Sequence, residues 1–213
     1  MIFVSMINNH PRQRQRPRLQ PQNRRRSNRL TYEVIPADVK SIADRSVGRG
    51  ALQSMWRSHE DGAPFNLMWK IVDGRSVGFA LFHYESMSDG AFNYRIGVID
   101  MLCVAPEYRS RSYGAQITFE VLKTMSLAGV NRVELLLREP AIGEYDPYPS
   151  MPPIGSERFL YDMGFRKVAY VPEFWKRQSE RYKYSCLICA PENDRKSPHP
   201  DECTGVLMAM NES

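Results

Sequence analysis

The stretch VAPEYRSRSYGAQITFEVL, from Val104 to Leu122, decides the fold. The apolar segment YRIGVIDMLCV that leads into it has the composition of a strand, and an amphipathic helical pattern leads out, running to about Ala128 and stopping at Gly129 as a helix C-cap would. Between the two lies a turn with Arg109, Ser110, Arg111, Ser112 and Gly114. The first turn of a helix has N–H groups without partners and a partial positive charge. Placed directly after a strand, with small residues in the turn, it forms a cradle for a phosphate. Ser110, Ser112, Gly114 and Ala115 keep side chains out of the way, so backbone amides can approach an anion, and Arg109 and Arg111 add charge that suits phosphate oxygens. The expected occupant is a pyrophosphate. A plain solvated turn capped by Ser112 is the alternative that the turn alone leaves open.

Working outward, FNLMWKIV and SVGFALFHYES are β-rich and joined by a turn at DGR. Ahead of them, PADVKSIADRSVGRGALQSMWRSH has helical spacing with a break at Gly48–Gly50, and LTYEVI alternates as a strand would. After the central helix, RVELLL reads as a strand and REPAIGEYDPYPSMPPIG as a long Pro/Gly loop. SERFLYDMGF reads as a helix with Ser156 as N-cap and Gly164 as its stop. RKVAYV and YKYSCLICA are the last expected strands. The order β-α-β-β-β-α-β-α-β-β predicts an α+β fold, a mixed central β-sheet flanked by helices, with one strand-to-helix crossover at its centre.

The chain has 213 residues and a net charge of +5. Residues 1–32 hold eight arginines and no acid, so the remainder carries 21 basic and 24 acidic residues. The high isoelectric point therefore belongs to the tail, and the mildly acidic remainder does not have the charge of a nucleic-acid-binding domain. The segment Asn8–Arg29, rich in Pro, Gln, Asn and Arg, cannot bury a core. The expected organisation is a disordered basic arm over residues 1–29, a folded domain over 30–190, and a loosely ordered tail over 191–213. No apolar run reaches the ~18 residues needed to span a bilayer, and the cysteines do not cluster like a secreted scaffold. A soluble, cytoplasmic protein without membrane contact is the expectation. Cys186, Cys189, His199 and Cys203 do not have a recognisable zinc spacing, so no metal site is expected.

The segment VIDMLCVAPEYRSRSYGAQITFEVL resembles the signature of the GNAT superfamily of acyl-CoA-dependent N-acetyltransferases. That signature is a strand ending in Val, then x-Pro-x-x-Arg, then an Arg/Gln-x-x-Gly-x-Gly/Ala loop that opens a helix. SERFLYDMGFRKV is similar to the family's later helix, which ends in Gly-Phe before a strand, and the resemblance covers roughly Leu30 to Ala190. It implies acetyl-CoA as co-substrate. Main-chain groups of Leu102, Cys103 and Val104 would pair with the pantetheine arm, and the amides of Arg109, Ser110, Arg111, Ser112, Tyr113, Gly114 and Ala115 would hold the pyrophosphate. The strand would splay from its neighbour to leave a slot for the thioester. Ser112 stands where the family's loop has its first glycine, which is compatible with a serine only at negative φ. The family's tyrosine acid would fall four residues before Gly164, at Leu160; Tyr161, one residue on, is the candidate here.

Direct attack of an amine on a thioester needs a group that takes the amine's proton and one that protonates the thiolate. Asp100, four residues before Val104, is the candidate for the first role and Tyr161 for the second. His83 at the end of a strand is read as a partly exposed residue without a role, and alternation sends His83 and Tyr84 to opposite faces. Glu139, Glu144, Tyr145, Asp146 and Tyr148 in the long loop suit a cationic amine. The expected acceptor is a primary amine on a small molecule or a protein. Two other readings stay open: a nucleic-acid-modifying enzyme guided by the arginine arm, and a CoA-binding module without catalysis.

Overall fold

The computed structural model describes residues 2–6, 31–58, 65–89, 92–138, 155–172, 174–182 and 205–211. Its sheet begins with the hairpin that the sequence marks most sharply. Strands β2 (Asn66–Val72) and β3 (Arg75–Asp89) are joined by Asp73 and Gly74. Both turn residues have positive φ, 49° and 76°. That is the signature of a two-residue turn whose twist matches the strands. β3 pairs antiparallel with β4 (Phe92–Val104) along its whole length. β4 then passes through a short 3-10 turn, Pro106–Tyr108, into helix α3 (Tyr113–Leu127). α3 ends at Gly129 with φ 70°, and the chain returns as β5 (Arg132–Arg138), parallel to β4. This is the expected central crossover.

The remaining elements are β1 (Ile2–Met6), α1 (Ala37–Ser46), α2 (Ala51–Ser58), α4 (Gly155–Asp162), β6 (Arg166–Val171), α5 (Phe174–Tyr182) and β7 (Gly205–Asn211). The seven strands lie in the order β1-β2-β3-β4-β5-β7-β6. Every neighbouring pair except β4–β5 is antiparallel. One face is covered by α1 and α2, around Ile42, Leu52, Met55, Phe65, Phe79 and Met101. The other is covered by α3 and α4, around Phe82, Ile99, Ile117, Val121, Leu160 and Phe165. The fold is thus the expected mixed sheet flanked by helices.

Four local expectations are corrected. LTYEVI is not a strand: Tyr32–Val34 form a 3-10 turn. Tyr32 and Ile35 both pack on the α1/α2 core, a spacing of three that superposes side chains in a 3-10 turn. The edge of β2 is instead taken by Ile2–Met6, with Val4 opposite Trp69, inside the segment assigned to a disordered arm. Gly205–Asn211, assigned to a loose tail, is a strand between β5 and β6. Its residues Val206, Met208 and Ala209 are buried; an apolar strand with sheet edges on both sides gains two ladders of hydrogen bonds at once. Ser156 lies inside α4, which begins at Gly155. The expected strand YKYSCLICA falls on residues 182–190; all but Tyr182, which closes α5, lie outside the described residues.

Close packing of α3 on the sheet depends on Gly78 in β3. A β-carbon there would lie 2.7 Å from the Cys103 carbonyl oxygen and 2.9 Å from Ile117 Cδ1. Neither a backbone oxygen in a ladder nor a fully buried isoleucine can retreat cheaply. Gly78→Ala is therefore expected to destabilise the protein by about 1–3 kcal/mol, read as a lower thermal midpoint by scanning calorimetry.

Candidate active site

β4 is fully paired on one edge and half paired on the other. Its parallel ladder with β5 runs from Ile96–Arg132 to Ile99–Leu135 and stops. β5 itself continues to Arg138, held on its far edge by β7. Among the described residues, Asp100–Val104 therefore have no strand partner on the β5 side, and this open edge is the candidate slot. The amide of Ala105 donates to Val77 O at 2.9 Å, on the β3 side. By alternation Cys103 also turns its main-chain groups to β3, while those of Leu102 and Val104 face the slot. Of the three residues expected to pair with a ligand arm, the geometry offers Leu102 and Val104 and occupies Cys103. Burial pushes the Cys103 thiol up to about 12, so it is no nucleophile at neutral pH.

At the mouth of the slot the strand carries a bulge. Leu81 faces Met101 and Phe82 faces Ile99, so Asp100 is the extra residue of β4. The consequence shows in the packing: Ile99 belongs to the α3/α4 core and Met101, two residues on, to the α1/α2 core. A regular strand would put both on one face. The bulge aims Asp100 at His83 on β3, with Oδ2 2.6 Å from Nδ1. The other ring nitrogen, Nε2, is 3.1 Å from Glu85 Oε1. The imidazole is buried, edge-on to Phe65 at 5.5 Å between centroids. Burial works to lower the His83 pKa, but the bond and charge of Asp100, aided by Glu85, outweigh it and raise the value above the usual histidine range.

Beyond β4 lies the turn. The Arg109 N–H closes the 3-10 turn onto Pro106 O at 3.2 Å, and its Nε donates to Val104 O at 3.1 Å, bracing the end of β4. The first α3 bond is Gln116 N–H to Ser112 O, 3.0 Å. The amides of the residues just before it therefore have no acceptor within the helix. Ser110 and Ser112 have φ of 59° and 60°. Left-handed residues alternating around Arg111 gather N–H groups into an anion-binding hollow. The expectation of negative φ at Ser112 is wrong. Its hydroxyl makes no cap hydrogen bond to α3, so a serine-capped surface turn does not describe this one.

These features now meet the comparisons with known proteins. A model of the Acetyltransferase (GNAT) family matches residues 34–146, more than half of the chain. The chain belongs to the GNAT acetyltransferase family. This GNAT acetyltransferase shares its fold with an IAA acetyltransferase from Bacillus cereus ATCC 14579, at 14% identity and a TM-score of 0.54 over 87% of this chain and 97% of that one. A GNAT family acetyltransferase from Elizabethkingia anophelis, solved with acetyl-CoA bound, superposes with a TM-score of 0.53 at 16% identity, covering 86% of this chain and 95% of that one. No curated protein matches the sequence.

Of the two catalytic candidates, the enzyme places Asp100 at the slot and turns Tyr161 outward. Leu160 is fully buried, whereas Tyr161 is 36% exposed, with the Arg166 guanidinium 5.9 Å from its ring. On α4 one residue is a rotation of about 100°, so burying Leu160 exposes its neighbour. His83 and Glu85 were missed. Their i, i+2 spacing puts both on one face of β3, but only the bulge brings Asp100 beside them. Glu139, Glu144, Tyr145, Asp146, Tyr148 and the Cys186, Cys189, His199 and Cys203 set lie outside the described residues. Among the described residues no helix is long and apolar enough to cross a membrane.

A serine at φ 60° carries a steric penalty that glycine does not. Ser112→Gly is expected to stabilise the enzyme by roughly 0.5–1 kcal/mol, the left-handed cost less the extra freedom of the unfolded glycine. Urea denaturation measures it, and a lower midpoint would show that the hydroxyl holds the turn.

Proposed function

We propose that this GNAT acetyltransferase transfers the acetyl group of acetyl-CoA to a primary amine, of a small molecule or a protein, by direct attack. The observation that carries the reading is the His83–Asp100 pair at the mouth of the slot where β4 and β5 part. Bound acetyl-CoA supplies the acyl group as a thioester. The main-chain groups of Leu102 and Val104 bind its pantetheine arm in strand fashion. The amides from Ser110 to Ala115 hold the diphosphate, with Arg111, exposed at the turn, adding charge. Gly114 supports this assignment. A β-carbon there would meet only Val104 Cγ2, at an ordinary 3.7 Å, so nothing in the protein itself requires a glycine. The open space above its backbone suits an arriving anion.

The proton of the incoming ammonium goes to the His83–Asp100 pair, which loses it to solvent. Asp100 orients the ring and stabilises its cation, and Glu85, 54% exposed beside Nε2, draws a cationic amine to the same place. Tyr161 stays the sequence candidate for protonating the thiolate, although its exposure argues against it; Tyr161→Phe is expected to leave kcat near the wild-type value.

Calorimetric titration with acetyl-CoA tests the donor. Gly114→Ala is expected to fold as well as the wild type and to bind acetyl-CoA weakly; unchanged affinity would overturn the cradle. The pH profile tests the base. Because His83 is raised in the folded protein, kcat/KM should fall as the pH drops through a value above 6.5, the free-histidine figure. Asp100→Asn leaves burial to dominate, so with the same amine its acid limb should move to lower pH, and kcat should fall by about 10²-fold or more. An unmoved limb would remove the pair from catalysis.

A further inference from the structure

β2 is an apolar strand with one lysine in it. Residues 66–70 are all buried, and Lys70 is among the largest fully buried side chains of the protein. Enclosing an ammonium is expensive: burial lowers the Lys70 pKa, and Glu120 pulls it the other way. A methionine of similar length would fill the same space without that cost. The side chain leaves the sheet on the α3 side and ends beneath the first turn of that helix. Its Nζ donates to Gln116 Oε1 at 2.5 Å and lies 5.3 Å from the centroid of the Tyr113 ring. Tyr113 and Gln116 belong to the turn whose amides face the proposed diphosphate. The strand partner of Lys70 is Gly78, the residue whose missing side chain lets α3 sit this close.

We infer that Lys70 is a positioning residue for the acyl donor: its buried ammonium, tethered to Gln116 under the α3 N-terminus, holds the first turn and adds fixed positive charge behind the amides that receive the diphosphate. The inference rests on the acetyl-CoA reading above. A point charge in a poorly polarisable setting acts through several ångströms of protein. It therefore needs no direct contact with the anion. Arg109 is committed to Val104 O and Arg111 is exposed at the turn, so a buried cation behind the turn adds to the charge that Arg111 brings. Because Lys70 is buried, water screens that charge less than it would a charge on the surface.

The test compares two donors with the same thioester arm: acetyl-CoA, and S-acetyl-pantetheine, which lacks the diphosphate. For Lys70→Met, kcat/KM and affinity for acetyl-CoA should fall on the order of tenfold, as loss of one nearby charge in a medium of intermediate dielectric implies. kcat at saturation should hold, kcat/KM for S-acetyl-pantetheine should not change, and the thermal midpoint of the ligand-free protein should stay or rise. A role in packing alone would cut both donors equally and lower the midpoint, which would overturn the inference, as would equal affinity for acetyl-CoA in variant and wild type. If Lys70→Met does not fold, Gln116→Leu removes the Gln116 tether while keeping the ammonium. A loss confined to acetyl-CoA supports the tether, and no loss overturns it. Wild-type protein that fails to bind acetyl-CoA would end the donor reading itself, whereas a wild type that binds and a Lys70→Met variant that binds equally would end only this inference.

Discussion

β4 is hydrogen-bonded to β3 along its length but to β5 only as far as Ile99. Everything that gives this acetyltransferase a site depends on that unequal pairing. A parallel pair needs a crossover, and the crossover here is α3, whose start lies just beyond the strand's free end. Among the described residues, the end of the ladder therefore leaves main-chain groups of β4 without a strand partner, next to helix amides without an acceptor in the helix. Both kinds of group are costly to bury without partners. At the mouth of a slot they stay accessible to a ligand that brings its own hydrogen bonds. β7 makes the parting stable, because it keeps β5 straight to Arg138 while β4 turns away toward the 3-10 turn.

The bulge at Asp100 is the second constraint. One extra residue reverses the faces of β4 within two positions. The same strand can then supply Ile99 to one core and Met101 to the other, with the carboxylate between them aimed at His83. Two acids then flank one buried imidazole. Their charge outweighs its desolvation and raises the His83 pKa above the usual histidine range. Charge of the opposite sign collects on the other side of the sheet, where Lys70, Arg111 and the α3 dipole face the turn. The separation suits the proposed reaction of an anionic donor with a cationic acceptor.

Strain and burial are concentrated in the same few residues. Ser110 and Ser112 adopt left-handed conformations without the glycine that usually permits them, and Lys70 is enclosed with its charge. Each costs stability, and each lies at or beneath the turn proposed to hold the diphosphate. Positions with that combination are where folds accept local cost for function.

The sequence by itself determined the local pieces. Period-two and period-3.6 patterns located the central hairpin, the β4–α3–β5 crossover, the break at Gly48–Gly50 and the helix stops at Gly129 and Gly164, because each depends on residues within a turn or two of one another. The turn from Arg109 to Ala115 was legible as an anion cradle for the same reason. Only the tertiary structure decided which distant residues meet. LTYEVI alternates as a strand, yet a 3-10 turn packs Tyr32 and Ile35 on the core while residues Ile2–Met6 take the open edge of β2. Gly205–Asn211 has a strand's composition but becomes β7 only because β5 and β6 both have edges to pair. Asp100 was legible as an acid near the strand end; its partner His83 was not, since their meeting depends on a register shift set by hydrogen bonds between strands. Lys70 is a lone cation in the apolar run of β2, and only the packing of α3 over it shows that it is buried. Local conformation follows from neighbouring residues, whereas register, burial and charge pairing follow from contacts whose energies exist only once the sheet has closed around them.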